Sequence, residues 1–361
     1  MSDNPTLEDL RQHIDAVDEV IQDLINKRGE LAQQVASAKL SQDENAEFYR
    51  PSREAQVLQN VMQRNRGPIS NEDMGRLFRE IMSLCLSLEQ KLNIAYLGPA
   101  GTFTQQAALK HFGHAVDCTP LPSIDTVFRE VVSKTAHFGV VPIENSSEGV
   151  VDYTLDMFLR SPLKICGEVE LRVHHNLLSR HQAVADIKRL YTHQQSLAQC
   201  REWLNNNLPN VERLAVSSNA EGARRASTED GSAAIAGEIA AELYQLNILH
   251  KNIEDEPDNT TRFIVVGPCS VPASGNDKTS LLVSTGNNPG ALYRLLKPFS
   301  DFNISMTRIE SRPSRALRWD YVFFIDIDGH VDDPVVAEAL DTLRKNAAML
   351  KVLGSYPKAL L

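Results

Sequence analysis

Residues 7–39, LEDLRQHIDAVDEVIQDLINKRGELAQQVASAK, decide how the first part of the chain folds. Apolar residues recur there in alternating steps of three and four, which predicts one long helix with a coiled-coil-like seam. The seam is interrupted at Arg28, where Leu24 and Leu31 predict another aliphatic residue. A guanidinium in an apolar seam is costly unless it is paired. Arg28 therefore indicates either a snorkelling side chain beside acidic partners or a site for an anion.

Two further helices are predicted after the long one. Pro51 and Ser52 suit the first turn of a second helix, and Gly67-Pro68 ends it. A third helix, which includes Met74, repeats the same three-four spacing. Three helices with such narrow apolar stripes would expose much apolar surface in a single chain. The pattern therefore predicts a dimeric bundle.

The sequence changes character at Asn93, where short β-rich runs begin to alternate with helical stretches. The alternation continues to about Pro268 and predicts an α/β domain. The runs are NIAYLG (93–98), HFGVVPIE (137–144), LRVHHNLLS (171–179), IKRLYTH (187–193) and RFIVVG (262–267). The polar stretch 271–278, VPASGNDK, is interpreted as a linker. From Lys278 the pattern predicts strand, helix, strand, strand and helix, a small α+β unit.

Composition excludes several classes of function. The net charge of −10 disfavours nucleic acid as a partner. No apolar run approaches the length of a membrane span and the N-terminus is acidic, so a cytoplasmic protein without membrane contact is expected. The five cysteines lie far apart, which predicts reduced thiols. His111 and His114 have no further ligands nearby in sequence and are interpreted as part of a surface helix, so no metal is expected.

The first ninety residues resemble the all-helical chorismate mutase family, whose members form an intertwined dimer. The resemblance rests on Arg11, Arg28, Lys39, Arg53, Glu54, Cys85 and Glu89. It implies that Arg28 and the partner subunit's Arg11 bind the two carboxylates of chorismate. It also implies that Lys39 donates to the ether oxygen, while Arg53 and Glu54 hold the ring side. The rearrangement is pericyclic, so such a site orients the substrate and stabilises separating charge without a nucleophile or cofactor.

Departures from the family pattern at three positions concern hydrogen-bonding groups. Glu89 stands where some members carry Gln as a second donor to the ether oxygen, and a carboxyl group donates only when it is protonated. We therefore predict that burial raises the pKa of Glu89 and that mutase activity falls as pH rises. Arg50 and Cys85 stand where an Asp and a Ser often occur, so contacts to the hydroxyl and one carboxylate are expected to be rebuilt.

Three polar segments mark the α/β domain: GPAGTFT (98–104), VPIENSSEG (141–149) and TTRF (260–263). A segment like the first forms a plain tight turn as often as an anion site. For Glu144 in the second segment, a capping or solvated carboxylate is as good an interpretation as a ligand contact. Its position just beyond a strand nevertheless suits a ligand site. No GxGxxG fingerprint occurs, which argues against a nicotinamide cofactor.

Taken together and in this order, the three segments resemble the prephenate dehydratase family. The resemblance implies two lobes, as in periplasmic binding proteins, that close over prephenate. It implies catalytic roles for Thr261, which would act on the leaving hydroxyl, and Glu144. The other residues expected at the substrate are Thr102, Thr104, Asn145, Ser146, His175, Arg262 and Phe263. Arg262 is assigned to domain structure or carboxylate binding. His174 and His175 are placed on a strand, where a satisfied core histidine is the commoner outcome.

The tail resembles the ACT regulatory family. The residues that carry the resemblance, and the expected effector site, are Asn288, Gly290, Ala291, Leu292, Glu310, Ser311, Arg312 and Pro313. A glycine at a helix start allows close approach of a ligand. The implied effector is L-phenylalanine, bound at a subunit interface and acting through coupling between two sites. A dimerisation domain without a ligand is the alternative.

The sequence as a whole predicts a multidomain enzyme with an all-α mutase domain (1–92), a two-lobed α/β dehydratase domain (93–268) and an α+β ACT domain (278–361). Chorismate and prephenate are the expected substrates, and the expected assembly is a homodimer or a dimer of dimers. A mutase fused to a prephenate dehydrogenase would need a dinucleotide loop that the sequence lacks. A non-enzymatic amino-acid sensor is the alternative from another class.

Overall fold

The computed structural model describes residues 6–43, 47–147, 149–286, 288–313 and 321–360. Glu148, part of the second polar segment, lies outside these residues. The first domain contains the three predicted helices, α1 (Leu7–Gln42), α2 (Pro51–Arg64) and α3 (Asn71–Glu89). Thr6 and Asp9 form a reciprocal capping box at the start of α1, and Pro51 occupies the first turn of α2. The predicted all-α domain is confirmed.

The apolar seam of α1 is uncovered over its N-terminal half. Leu10, Ile14, Val17 and Leu24 are each 46% to 61% exposed. Large apolar side chains in a continuous stripe are normally buried against a partner surface. In the single chain this apolar stripe is exposed. The sequence predicts a dimeric helical bundle, in which a second copy would cover it.

The α/β domain has two lobes, each built on its own sheet. In the first lobe the strands are arranged β2-β1-β3-β11-β5, and β4 pairs with β3. The elements of this lobe are β1 (Asn93–Leu97), α4 (Phe103–Phe112), β2 (Asp117–Leu121), α5 (Ile124–Val132), β3 (Phe138–Asn145), β4 (Gly149–Val150), α6 (Asp152–Phe158), β5 (Lys164–Arg172) and the returning strand β11 (Thr260–Gly267). The strand β11 lies between β3 and β5 and is antiparallel to both.

The second lobe is inserted between β5 and β11. Its strands are arranged β10-β6-β9-β7-β8. Its elements are β6 (Asn176–Ser179), β7 (Arg189–His193), α7 (Gln194–Gln199), α8 (Arg201–Asn207), β8 (Glu212–Val216), α9 (Asn219–Thr228), β9 (Ser232–Ala236), α10 (Glu238–Tyr244) and β10 (Asn247–His250). The predicted run 171–179 is divided here, because His174 and His175 lie between β5 and β6 where the chain crosses from one lobe to the other. Their expected position on a strand is wrong.

The C-terminal domain is a four-stranded antiparallel sheet with strand order β13-β14-β12-β15. Its elements are β12 (Asp277–Thr285), α11 (Ala291–Asp301), β13 (Met306–Pro313), β14 (Tyr321–Asp328), α12 (Pro334–Asn346) and β15 (Met349–Pro357). The predicted order is confirmed, and β15 is an additional strand that the sequence pattern did not reveal. The expected linker is packed, because Ser274 and Asp277 are buried and hydrogen-bonded to each other.

The C-terminal domain packs directly on the first lobe. Leu353 and Tyr356 of β15 share a buried apolar cluster with Ile165 of β5. At Gly354 the two strands approach so closely that an added Cβ would lie 2.9 Å from the backbone nitrogen of Ile165. Lys351 reaches across and donates to the carbonyl of Phe158 at 2.8 Å. Among the described residues no helix is long and apolar enough to cross a membrane.

Candidate active and effector sites

A partly buried cation and a partly buried carboxyl group face each other in the helical domain. The Nζ of Lys39 on α1 lies 4.0 Å from Oε2 of Glu89, the last residue of α3. The two side chains are only 19% and 12% exposed. Lys39 also donates to the backbone carbonyls of Glu47 at 3.4 Å and Phe48 at 3.3 Å. The Oε2 atom of Glu89 is buried and has no hydrogen-bond partner among the described residues.

Burial dominates the electrostatics of this pair. It raises the pKa of Glu89, although Lys39 and Arg28 both oppose the rise. It also lowers the pKa of Lys39, where Glu89 opposes the change and Arg50 reinforces it. Each shift favours the uncharged form, so the 4.0 Å attraction does not compensate the loss of hydration. The predicted rise in the pKa of Glu89 is confirmed.

The remaining mutase candidates occupy different parts of the helical domain. Arg50 is the N-cap residue of α2, Arg53 is exposed, and Cys85 is buried in α3. Arg11 is exposed on α1 and lies roughly 26 Å along the helix axis from Arg28, at 1.5 Å per residue. An arginine at that distance cannot share a substrate with Arg28 of its own chain.

Glu54 is paired differently from the expectation. Its Oε1 atom lies 3.3 Å from Nη1 of Arg79, and both side chains are largely buried. Arg79 also donates to the backbone carbonyl of His111 in the neighbouring domain. Burial raises the pKa of Glu54, and Arg79 opposes the rise. Glu54 is therefore held by an ion pair between α2 and α3, and its partner Arg79 makes the contact with the neighbouring domain.

Thr261 lies at the centre of a polar cluster in the α/β domain. It is 8% exposed on β11, paired with Asn145 of β3. The Nδ2 atom of Asn145 donates to Oγ1 of Thr261 at 2.7 Å and to Oδ1 of Asn259 at 2.9 Å. Ser146 accepts from the backbone N–H of Thr260 at 3.0 Å. Because its oxygen accepts from an amide, the threonine keeps its own O–H as a donor. Asn259 is not among the candidates from the sequence, although its place directly before the TTRF segment is a usable signal. The structure shows that it is buried.

His175 is a second buried polar group, located where the lobes join. Its ring is edge-on to Phe103, with centroids 5.7 Å apart, and its Nε2 lies 2.8 Å from Oε1 of Gln199. Burial lowers the pKa of His175, so the ring is neutral at neutral pH. The Nδ1 atom has no hydrogen-bond partner among the described residues. A neutral ring with an unpaired buried nitrogen suits contact with a ligand.

The two threonines of the first segment, Thr102 and Thr104, contribute to the start of helix α4. Thr102 is the N-cap of α4, where its hydroxyl accepts from the N–H of Gln105 and donates to the carbonyl of Leu97 at 3.3 Å. Thr104 is buried in the first turns of α4. These positions hold the loop at the C-terminal end of β1, where ligands of open sheets are bound.

Arg262 does not lie free to bind substrate. Its Nε donates to Glu168 at 2.8 Å, its Nη1 to Asp326 at 2.7 Å and its Nη2 to the hydroxyl of Tyr356 at 3.0 Å. Asp326 and Tyr356 belong to the C-terminal domain, so Arg262 fastens the two domains together. Of the two roles weighed from the sequence, domain structure agrees with these contacts. Phe263, expected at the substrate, is 2% exposed in the core because residues alternate across the strand.

Glu144 also faces the C-terminal domain. Its Oε2 lies 3.1 Å from Nε of Arg308 on β13 and 3.9 Å from Nη1 of Arg262. On the same strand, Arg312 pairs with Asp152 and, at 3.2 Å, with Asp156. A catalytic carboxylate was expected at Glu144, whereas its contacts in this structure are ion pairs. Glu144 nevertheless adjoins Asn145, which holds Thr261.

The expected effector residues divide into two groups. Those of the first group line a pocket in the C-terminal domain, which is bounded by Thr285, Gly286, Asn288, Gly290, Ala291, Leu292, Tyr293, Tyr321 and Phe323. Gly290, with φ of +75°, makes the left-handed turn into α11. The second group, residues 310–313, lies on the neighbouring strand β13 and is absent from the lining of this pocket. Among the described residues, no cluster of three or more His, Cys, Asp or Glu could hold a metal ion.

Three family models match the chain: "Chorismate mutase type II" over residues 10–90, "Prephenate dehydratase" over 94–270 and "ACT domain" over 279–345. The bifunctional chorismate mutase/prephenate dehydratase of Pseudomonas aeruginosa is 56% identical and covers 100% of both chains. The enzyme of that name from Neisseria gonorrhoeae is 49% identical over 97% of each chain. A crystal structure of prephenate dehydratase from Arthrobacter aurescens in complex with L-Phe has a TM-score of 0.69 and 36% identity, over 74% of this chain and 90% of that one. The chain therefore belongs to the bifunctional chorismate mutase/prephenate dehydratase family.

Proposed function

We propose that the helical domain rearranges chorismate to prephenate and that the α/β domain converts prephenate to phenylpyruvate, water and carbon dioxide. The observation that carries the proposal is the presence of two different polar sites in two domains. One is the partly buried pair of Lys39 and Glu89, and the other is the Asn145–Thr261 cluster. The full-length relatives named for both activities support the assignment.

In the mutase site, Lys39 and the protonated carboxyl of Glu89 donate to the ether oxygen as negative charge develops there. Arg28 binds one carboxylate, and Arg11 of a second copy binds the other, because Arg11 of the same chain is too distant. The exposed apolar stripe of α1 supports a homodimer in which that second copy covers the helix. Arg50, Arg53 and Cys85 complete the pocket without a direct part in bond breaking.

In the dehydratase site, Thr261 donates its O–H to the ring hydroxyl as that group leaves, and the ring carboxylate leaves as carbon dioxide. Asn145 orients the threonine by donating to its oxygen at 2.7 Å. The electron pair of the breaking C–C bond completes the aromatic ring, so the leaving hydroxyl is the group that needs a proton. Thr102, Thr104, Ser146 and His175 line the cleft between the lobes.

L-Phenylalanine is the proposed effector of the C-terminal domain. The loop 288–292 of one copy binds it together with residues 310–313 of β13 from a second copy, which explains why one chain does not bring the groups together. Two ion pairs connect this domain to the dehydratase site, namely Arg308 with Glu144 and Asp326 with Arg262. Each carboxylate or guanidinium on the dehydratase side is the chain neighbour of Asn145 or Thr261. A shift of the C-terminal sheet would therefore move the donor and its support.

The test is formation of phenylpyruvate from chorismate by the purified full-length protein. We expect Thr261→Ala to lose only the second step and Arg28→Ala only the first. Loss of both steps in both variants would contradict the division into two sites. A non-enzymatic sensor would bind L-phenylalanine without turning over either substrate. The domain limits 1–92, 93–268 and 278–361 and the cytoplasmic location stay predictions.

A further inference from the structure

Tyr49 belongs to the helical domain but is buried in the α/β domain. It stands just before α2 and is 6% exposed. Its ring centroid lies 5.2 Å from those of Phe112 and Phe138, both in the first lobe. Its hydroxyl lies 3.0 Å from Nε2 of His111. Aromatic rings packed at these distances and closed by a buried hydrogen bond form a specific anchor.

The anchor, formed by Tyr49 and His111, is uncharged, and Arg79 holds the backbone of His111 in place. Burial and the cation of Arg79 together lower the pKa of His111 to about 3, so the imidazole is neutral. Burial raises the pKa of Tyr49, so the phenol keeps its proton. Arg79 also donates to the backbone carbonyl of His111. His111 therefore lies at a domain junction, and its interpretation as a surface residue is wrong.

The residues around Tyr49 in the chain are the ones that surround Lys39. The carbonyls of Glu47 and Phe48 accept from Nζ of Lys39, and that atom lies 5.3 Å from the centroid of the Phe48 ring. Arg50, on the other side of Tyr49, is close enough to influence the charge of Lys39. The short segment 47–50 thus contacts Lys39 on one side and is fixed to the next domain by Tyr49 on the other.

We propose that Tyr49 is a positioning residue for the mutase reaction, which holds segment 47–50, and through it Lys39, by anchoring the segment on the dehydratase domain. The inference rests on the proposed mutase function. This role predicts that the mutase site in the helical domain depends on a contact with the dehydratase domain. A misplacement of about 1 Å in a catalytic group can reduce the rate roughly 100-fold, so the anchor need move only slightly to matter.

The test uses full-length protein with Tyr49→Ala, Tyr49→Leu and Tyr49→Phe. We expect Tyr49→Ala and Tyr49→Leu to lower mutase kcat by roughly 10-fold or more, while KM for chorismate and the dehydratase rate on added prephenate change by less than about twofold. Tyr49→Phe keeps the ring packing and is expected to restore most of kcat. The matched control is Glu80→Gln, because Glu80 also joins the two domains, through His114 at 2.9 Å, but does not contact segment 47–50.

The outcomes separate the inference from the function on which it rests. Wild-type protein without mutase activity would refute the proposed function. Active wild-type protein together with unchanged kcat in Tyr49→Ala and Tyr49→Leu would refute the positioning role alone. Parallel loss of both activities would show that Tyr49 only stabilises the fold, and would also overturn the inference. If Tyr49→Ala does not fold, Tyr49→Leu decides the matter, because leucine keeps an apolar side chain in the same position.

Discussion

Replacement of Glu89 by glutamine tests how the mutase site donates its second hydrogen bond. Burial raises the pKa of Glu89, and Lys39 at 4.0 Å and Arg28 do not cancel that rise. Only the protonated carboxyl can donate, so mutase kcat/KM of the wild type should fall as pH rises through this pKa. The fall should approach tenfold per pH unit on the alkaline side. Glutamine donates through its amide at every pH, so Glu89→Gln should lack this fall.

The magnitude of the effect follows from what the side chain does at the ether oxygen. Glu89 is 12% exposed, and its buried Oε2 has no partner among the described residues, so water does not compensate for a lost donor. Removal of one preorganised donor costs about 10²- to 10³-fold in kcat. We expect Glu89→Ala to lose activity by that factor at low pH. Glu89→Gln should match the wild type at low pH and exceed it at high pH.

The assay is consumption of chorismate measured from about pH 5 to about pH 9. Dehydratase activity on added prephenate, measured at the same pH values, controls for damage to the whole chain. If the profiles of the wild type and Glu89→Gln run parallel, the carboxyl proton is not the donor and the reasoning fails. A wild-type profile without an alkaline decline would refute it equally.

Three further predictions concern packing, regulation and assembly. Arg262→Met should lower the free energy of unfolding of the dehydratase domain, measured in urea, by about 3–5 kcal/mol. The reason is that the buried carboxylates of Glu168 and Asp326 each lose an ion-pair partner. As a control, Arg224→Met removes the exposed ion pair with Glu221 and should lower the free energy of unfolding by less than about 1 kcal/mol. Equal losses in the two variants would contradict the role assigned to Arg262. Arg308→Met should raise the concentration of L-phenylalanine needed for half-inhibition of the dehydratase at least about fivefold, and an unchanged value would exclude this ion pair from the coupling. Ile14→Asp should reduce the size of the assembly in sedimentation and abolish mutase activity, while the dehydratase remains active. An unchanged assembly with unchanged mutase activity would place the mutase interface elsewhere.

The fold was predictable where hydrophobic spacing alone determines an element. The three-four rhythm places α1, α2 and α3, and the β-branched runs place β1, β3 and β11. The strand β15 was missed because MLKVLGSYP combines Lys, Gly and Pro in a run without regular alternation. Its burial comes from packing on β5, which is far away in sequence.

The candidate sites were predictable only in part. Lys39, Glu89, Asn145 and Thr261 do meet in pairs, because each stands at an element whose position the sequence specifies. The sequence does not decide the role of Arg262, because Asp326 and Tyr356 lie in another domain. The expectations for Glu54 and Phe263 are wrong because the sequence shows neither the ion pair of Glu54 with Arg79 on α3 nor the face of β11 on which Phe263 lies. The thiols of Cys166 and Cys269, only 3.7 Å apart, show the same limit, since their separation in sequence gave no sign of proximity.

The close approach at Gly354 limits how this chain can be recombined. At Gly354, strand β15 packs on the backbone of Ile165 with no room for a Cβ, so the C-terminal and dehydratase domains share one hydrophobic core. Exchange of the C-terminal domain for one of the same topology from another protein would place a side chain against that backbone unless the donor also carried glycine there. Gene fusion or shuffling should therefore tolerate a breakpoint near residue 277 poorly, so the regulatory and dehydratase domains are expected to be inherited together.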